Sequence, residues 1–302
     1  MKKVILLFLF ICFALLYYAH FVAPDRLVLR KKVLFLHRWC TKLDGLKVVL
    51  LSDIHFGARY IDLNKLNKIV DLVNKQNPDL ILFAGDLDAE LLMFSNADKN
   101  DVIKVLSRLN ARYFKGAVLG NHDYSPPCII PGVLEKSHFT VLRNKVAVLN
   151  ISDTKLKIAG IDDIWYSKPD LNSLFSGQND GAPLIFLSHN PDVFPKLPDF
   201  VSLTLSGHTH GGEISFPVLG SPFVPSKFAQ RYRKGHVVEN SRHLFVSSGI
   251  GTLSGFRFNN APEVVILELR QETQKNKIQN TKPKRGFSRD YIPLIRKYFY
   301  NK

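Results

Sequence analysis

The sequence predicts an α/β fold built on parallel strands, and two features of its patterning carry that prediction. Short continuous apolar runs, the mark of strands buried on both faces, alternate with segments that repeat apolar residues at helical spacing. A strand, helix, strand succession makes its strands parallel, so the polar residues that follow each run collect at one carboxyl edge. At 302 residues and 46% hydrophobic content, the chain can bury a sizeable core.

Taken in order, the chain opens with Lys2 and Lys3, and residues 4–23 then carry no formal charge. About 20 helical residues at roughly 1.5 Å each cross the ~30 Å hydrocarbon layer of a membrane. The exit through Tyr17, Tyr18, His20 and Phe21 is bulky and aromatic, unlike the small residues at a signal-peptide cleavage site. Residues 1–24 therefore read as a transmembrane helix or an uncleaved signal. Arg26, Arg30, Lys31, Lys32 and Arg38 outnumber the two lysines before the span, which predicts a single-pass protein of the inner (cytoplasmic) membrane with its body on the cytoplasmic side. Residues 25–45 read as a basic linker.

Residues 46–270 form the body. Apolar runs at 46–51, 79–84, 114–119, 184–187, 201–205, 244–247 and 264–269 read as strands, and 63–73 and 99–109 as helices. Pro126, Pro127 and Pro131 exclude a long helix after the third strand, and alternation over 140–150 and 155–161 predicts an antiparallel hairpin. The tail, 271–302, is basic with an aromatic end at 291–300; it is either a solvated terminus or a segment lying on the bilayer interface.

The net charge of +15 is concentrated at the two ends. Residues 1–44 hold 8 basic and 2 acidic groups and residues 270–302 hold 10 and 2, whereas the remaining 23 basic and 22 acidic groups nearly cancel. That distribution suits termini on an anionic membrane surface and argues against a nucleic-acid groove in the body. Cys12, Cys40 and Cys128 have no pairing or metal-binding spacing, which excludes a disulfide framework.

The residues just beyond the strands carry the chemistry. They are Asp53 and His55, Asp86, Asn121 and His122, His189, and the pair His208 and His210, so that five of the ten histidines follow a buried strand. Imidazoles and carboxylates without thiolates suit Mn, Fe, Co or Zn rather than Mg or Ca. So many ligands exceed one tetrahedral ion and would supply two ions about 3.5–4 Å apart, a pair that generates hydroxide from water and fixes in-line attack on phosphorus.

In order, Asp53-x-His55, Gly85-Asp86, Gly120-Asn121-His122-Asp123, His189 and Gly207-His208-x-His210 resemble the motifs of the calcineurin-like metallophosphoesterase superfamily. The resemblance spans residues 47–269 and implies a four-layer α/β/β/α sandwich. It implies that Asp53, His55 and His210 hold one divalent ion and Asn121, His189 and His208 the other, with Asp86 bridging them and manganese the favoured metal. His122 would stabilise the transition state or protonate the leaving oxygen, oriented by Asp123. One departure is that the family's Gly-Asp-x-x-Asp has Ala89 in its last position here, flanked by Asp88 and Glu90.

The N-terminal apolar segment, Ser188-His189-Asn190-Pro191-Asp192 and Gly249-Ile250-Gly251-x-x-x-Gly255-x-Arg257 resemble a bacterial membrane-anchored subgroup. Some of its members are phosphodiesterases and others UDP-2,3-diacylglucosamine diphosphatases of lipid A synthesis. The resemblance implies cleavage of a phosphodiester or pyrophosphate bond in a lipid-linked substrate or, alternatively, an exported phosphodiesterase acting on phospholipid or other phosphate esters. Arg257 is then a candidate phosphate clamp or a surface ion pair. Lys227, Arg231, Arg233, Lys234 and Arg242 are either a solvated face or a contact for anionic substrate or lipid.

Overall fold

The computed structural model describes residues 1–88, 99–125 and 128–274. Ala89, Glu90, Pro126, Pro127 and the tail beyond residue 274 lie outside the described residues, so the expectations placed on them stay as stated above.

The elements are α1 (Lys2–Tyr17), β1 (Val28–Leu36), β2 (Leu46–Leu51), α2 (Leu63–Asn74), β3 (Leu80–Phe83), α3 (Lys99–Ser107), β4 (Phe114–Ala117), α4 (Ile130–Lys136), β5 (Thr140–Val141), β6 (Lys145–Ile151), β7 (Thr154–Gly160), α5 (Leu171–Phe175), β8 (Leu184–Leu187), β9 (Leu203–Ser206), β10 (Gly235–Glu239), β11 (Arg242–Val246) and β12 (Glu263–Gln271). The twelve strands form two mixed six-stranded sheets, ordered β1-β12-β2-β3-β4-β5 and β10-β11-β9-β8-β7-β6.

Period-two alternation decides which core each side chain enters. Val49 and Leu51 of β2 and Ile81 and Phe83 of β3 face α2, α3 and α4, whose apolar stripes include Leu66, Ile69, Val102 and Val133. Val48, Leu50, Leu80 and Leu82 point the other way, into a core shared with Ile158, Ile185, Leu203 and Leu205 of the second sheet. A third core covers the outer face of that sheet, where Phe186, Leu244 and Val246 meet Phe194 and Tyr232. Full burial of each such side chain contributes about 1.5–3 kcal/mol. The α2 helix starts where the Asp62 side chain accepts from the Lys65 N–H at 2.7 Å and ends before Pro78.

Two expectations need correction. Residues 25–45 are not a linker: they supply β1, which runs parallel to β12 and sends Leu34 and Leu36 into the core between the sheets, and the turn after it adds Trp39 and Leu43. β1 is an edge strand, so Lys31 and Lys32 in its middle stay in solvent. β10, another edge strand, was not anticipated at all. Within 140–150, Thr140–Val141 pairs with β4 in the first sheet, and only β6 and β7 make the antiparallel hairpin.

The apolar N-terminal stretch Lys2–Asp25, 24 residues, is long and apolar enough to cross a membrane, a property it shares with signal sequences.

Candidate metal centre

Strand direction gathers the site. β2, β3 and β4 are parallel to one another, as are β7, β8, β9 and β11, so every tip that carries a candidate ligand emerges at a carboxyl edge. The turns are tight and backbone-bonded: Asp53 N–H donates to Gly85 O at 2.9 Å, His55 N–H to Asp86 O at 3.1 Å and Gly207 N–H to His189 O at 3.0 Å. Gly120 cannot carry a side chain, because a Cβ there would stand 2.1 Å from Asp86 Oδ1.

Asp53, His55, Asp86, His208 and His210 all have φ between +50° and +69°. Each non-glycine residue in this region costs on the order of 1–3 kcal/mol and persists only where its surroundings hold it. Four of these side chains converge on a common point, and His208 lies beside His189. Ligand atoms of Asp53, His55, Asp86 and His210 lie within 4.8 Å of one another, all buried.

Asp86 lies between two groups of ligands. Its Oδ2 is 3.6 Å from His55 Nε2 and 3.1 Å from His189 Nε2, while Oδ1 accepts the His122 N–H at 2.9 Å. On one side, His55 Nε2 faces His210 Nε2 at 3.1 Å, and His210 Nε2 is 3.5 Å from Asp53 Oδ1. On the other, His189 Nε2 is 3.1 Å from Asn121 Oδ1 and 3.2 Å from His208 Nδ1.

Carbonyl oxygens assign two of these tautomers. His189 Nδ1 lies 2.7 Å from Ala84 O and His55 Nδ1 3.2 Å from Asp88 O, so in the neutral imidazole each Nδ1 carries the proton and each Nε2 presents a lone pair to the site. Lone pairs and carboxylate oxygens thus point at one another. Asp53 Oδ2 and His208 Nε2 are buried without a hydrogen-bond partner. A donor set of imidazole nitrogens and carboxylate oxygens, converging and under-satisfied, fits divalent metal ions.

Electrostatics point the same way. Burial holds the His55 imidazole down to about 4 and pushes His208 and His210 well below the ordinary histidine range. Burial also pushes Asp53 up to about 6. Burial would lower His189 as well, but the charge and hydrogen bond of Asp86, with Asp53 and Asp163, raise it to about 10. Asp86 is held well below the usual carboxylate range because the His189, His55 and His122 charges outweigh its burial. A proton on His189 thus stands where a cation is wanted.

Asp123 has a structural duty: it accepts the N–H groups of Asp86 at 2.8 Å, Leu87 at 2.8 Å and Gly120 at 2.9 Å, clamping the β3 and β4 tips together. Burial, with the Asp86 charge, pushes its carboxyl up to about 7. His122 is half-buried, its ring edge-on to His55 at 5.1 Å between centroids.

Arg257 is not placed as a phosphate clamp or a surface ion pair. Its side chain is fully buried and donates from Nη1 to His210 O and Ser248 O, both at 2.8 Å, and from Nη2 to Gly251 O at 2.5 Å. It braces the ligand-bearing turn from behind. The basic cluster is likewise largely committed inward. Arg233 bonds Gly211 O, Ser215 Oγ and Ser221 Oγ, Lys234 bonds Asn260, Arg231 pairs with Glu239, and Arg242 bonds Leu197 O.

Sequence reasoning missed Asp163 and Trp165, which follow β7. Asp163 is fully buried with Oδ2 unpartnered, and Trp165, 48% exposed, sets its ring edge-on to His208 at 4.4 Å. The signal was present: Asp162-Asp163 follows a buried run, as the other tip residues do.

Residues 46–212 match the family described as calcineurin-like phosphoesterase. The chain is 34% identical over 236 residues to an uncharacterized metallophosphoesterase, YkuE, of Bacillus subtilis (strain 168), covering 75% of this chain and 80% of YkuE. It is 32% identical over 230 residues to the phosphodiesterase YaeI of Escherichia coli (strain K12), covering 74% and 82%. It is 26% identical over 314 aligned residues to the UDP-2,3-diacylglucosamine pyrophosphatase LpxG of Chlamydia muridarum (strain MoPn / Nigg), covering 83% and 91%.

Proposed function

Since the chain belongs to the calcineurin-like phosphoesterase family and is a metal-dependent hydrolase, we propose that it is a membrane-anchored, two-metal enzyme that cleaves a phosphodiester or pyrophosphate bond in a lipid-linked substrate. The observation that carries this reading is the position of Asp86 Oδ2, in reach of both His55 and His189. Asp53, His55 and His210 would hold one ion, Asn121, His189 and His208 the other, with Asp86 shared. The nitrogen and oxygen donor set suits manganese, with iron, zinc and cobalt as alternatives. When bound, two such ions lower the pKa of a water and neutralise charge on a phosphoryl group.

The chain's own residues supply the rest. His122, fixed through its N–H on Asp86, is the candidate to give a proton to the leaving oxygen. Asp123 holds the β3 and β4 tips in register, and Arg257 holds the His210 turn. The three successive cores support a four-layer α/β/β/α sandwich over residues 46–270, with β1 added at its edge. The functions that YaeI and LpxG are named for, a phosphodiesterase and a UDP-2,3-diacylglucosamine pyrophosphatase, support the two bond classes; UDP-2,3-diacylglucosamine is the specific candidate. The anchor reading and the positive charges that follow it support a body at the cytoplasmic face of the inner membrane. The alternative, an exported enzyme, is separated by labelling the exposed Cys128 in intact cells.

The test is hydrolysis of bis(p-nitrophenyl) phosphate with added manganese, then a panel of UDP-2,3-diacylglucosamine, phospholipids and soluble nucleotides. Asp86→Ala is expected to lose roughly 10³-fold in kcat/KM, the several kcal/mol that metal ions contribute to such a transition state. An Asp86→Ala protein as active as wild type would sink the two-metal reading, and a preference for soluble nucleotides would sink the lipid-linked one.

A further inference from the structure

Resting on the reading of α1 as a membrane anchor, we infer that the edge carrying the metal ligands is also the face laid against the bilayer, with residues 216–219 and Leu253 entering its interfacial layer.

Topology gives the first argument. β12 is antiparallel to β2, and β1 is parallel to β12, so β1 begins at the edge where β2, β3 and β4 end. Val28 pairs with Glu263 at that edge. The chain therefore comes down from α1 onto the ligand edge and not onto the opposite pole.

The junction below α1 is docked there. Arg257 N–H donates to Ala19 O at 2.8 Å, His20 Nδ1 lies 2.9 Å from Gly255 O, and the His20 and Phe256 rings are 4.4 Å apart. From the turn after His55, Tyr60 OH bonds His20 O and the Arg59 guanidinium lies 5.0 Å over Phe21. Lys65 Nζ pairs with Asp25 Oδ1 at 2.7 Å. Contacts on two separate loops leave the end of α1 little freedom to swing away from the site.

An apolar tip adjoins this junction. Glu213 accepts from Thr252 Oγ1 at 2.7 Å, Leu253 N at 2.8 Å and Ser254 N at 3.1 Å, and Ser215 N–H donates to Phe258 O at 2.9 Å. The loop after His210 therefore lies alongside the loop that receives Ala19 and His20. Between Glu213 and Lys227, residues 214–226 carry no charge and include Pro217, Pro222 and Pro225. Val218 and Leu219 are 82% and 81% exposed and Leu253 is 53% exposed. Val218 also has φ +69°, a strained value for a β-branched residue, which projects the tip outward. Adjacent exposed aliphatic side chains in a charge-free segment, beside an apolar helix and followed by the exposed Lys227, are the composition of a segment seated among anionic headgroups. The bilayer is the occupant because the patch continues the surface of the anchor.

The test uses the full chain in phosphatidylcholine–phosphatidylglycerol vesicles, with Cys12, Cys40 and Cys128 replaced by Ala and one environment-sensitive fluorophore on Leu219→Cys or Lys75→Cys. Lys75 is exposed at the far end of α2, away from the ligand edge. The expected result is a shift of the Leu219 label to shorter wavelength and its quenching by nitroxides on the lipid chains, with neither effect at Lys75. The unlabelled Val218→Ser/Leu219→Ser protein should keep its turnover of a soluble phosphodiester and lose turnover of one embedded in the vesicle. A Leu219 label that stays in water while the protein floats with vesicles and hydrolyses the soluble diester overturns this inference alone. Shielding of that label without vesicles, growing with protein concentration, assigns the patch to a second copy and also overturns it. Failure to float removes the anchor reading and this inference together.

Discussion

Asp162 and Asp86 are buried carboxylates at strand ends of the same edge, one held by three side-chain donors and the other by one backbone N–H and the ring nitrogens of two histidines. Asp162 accepts from Tyr124 OH at 2.9 Å, Arg143 Nε at 2.8 Å and Asn144 Nδ2 at 3.0 Å, and its own N–H donates to Asn144 Oδ1 at 3.1 Å. Around Asp86 stand His55 Nε2, His189 Nε2 and, through them, Asn121 Oδ1 and Asp53 Oδ1. The first cluster is complete as it stands. The second is complete only with positive charge among its ring nitrogens and oxygens, a proton on His189 or a metal ion, since buried carboxylates short of opposite charge cost several kcal/mol. Burial and ionisable residues are common to both, so neither distinguishes a metal centre from a structural network; the direction of the hydrogen-bond donors does.

The largest break in this contrast is at Asp53. Its carboxyl is raised to about 6, above the ordinary value of 3.8, so in metal-free protein the stability tied to its proton is present below about pH 4 and lost as pH rises through 6. Asp53→Asn removes that buried charge while its side-chain oxygen can still accept the His208 N–H, a bond of 2.9 Å in the native protein. Chelator-treated Asp53→Asn should therefore melt higher than chelator-treated wild type at pH 8, by on the order of 1–3 kcal/mol, with no gain at pH 4. Metal-supplemented activity should fall by roughly 10²–10³-fold, since a ligand is lost. Thermal melts with and without chelator at the two pH values check this. A variant less stable than wild type at pH 8 would show that the acceptor cluster tolerates its own charge.

Arg257 gives the next effect. Its guanidinium bonds three backbone carbonyls around the turn that carries His210. Arg257→Lys keeps the charge but not the planar fork. Metal affinity is expected to weaken about 10–100-fold, as for other groups that orient metal ligands. Excess manganese should then restore kcat, with KM for substrate near wild type. A selective rise in KM at saturating metal would instead put Arg257 on the phosphate.

What the sequence made legible follows the same physics. Ligands that end buried parallel strands announce themselves by recurrence, because five histidines follow such runs together with Asp53 and Asp86, whereas a single carboxylate there, as at Asp162, does not. Edge strands do not: β1 reads Val-Leu-Arg-Lys-Lys-Val-Leu-Phe-Leu, and the charges that protect an exposed edge look like those of a linker. β10, with no fully buried residue, gave no apolar run to read. Arg257 was misread because burial of a guanidinium depends on carbonyls from residues 210, 248 and 251, which only the folded turn brings together. The docking of Ala19 and His20 on residues 255–257 spans more than two hundred residues and leaves no local trace.

The smallest expected effect comes from the satisfied cluster. Arg143 is about half exposed, 48%, against 10% for the Asp162 side chain, so solvent screens much of the pair. Arg143→Met keeps an apolar stem and removes both the donors and the guanidinium that lies 5.9 Å over the Tyr124 ring, while Tyr124 and Asn144 continue to bond Asp162. The expected loss is about 1 kcal/mol of stability, a few degrees in Tm, with kcat and metal affinity unchanged. Tyr124 OH also receives the Asp163 N–H at 3.1 Å, and Asp163 precedes Trp165, whose ring meets His208. A change in metal affinity in Arg143→Met would therefore mean that the network is joined to the metal centre through this path, and the two carboxylate clusters would have to be treated as one.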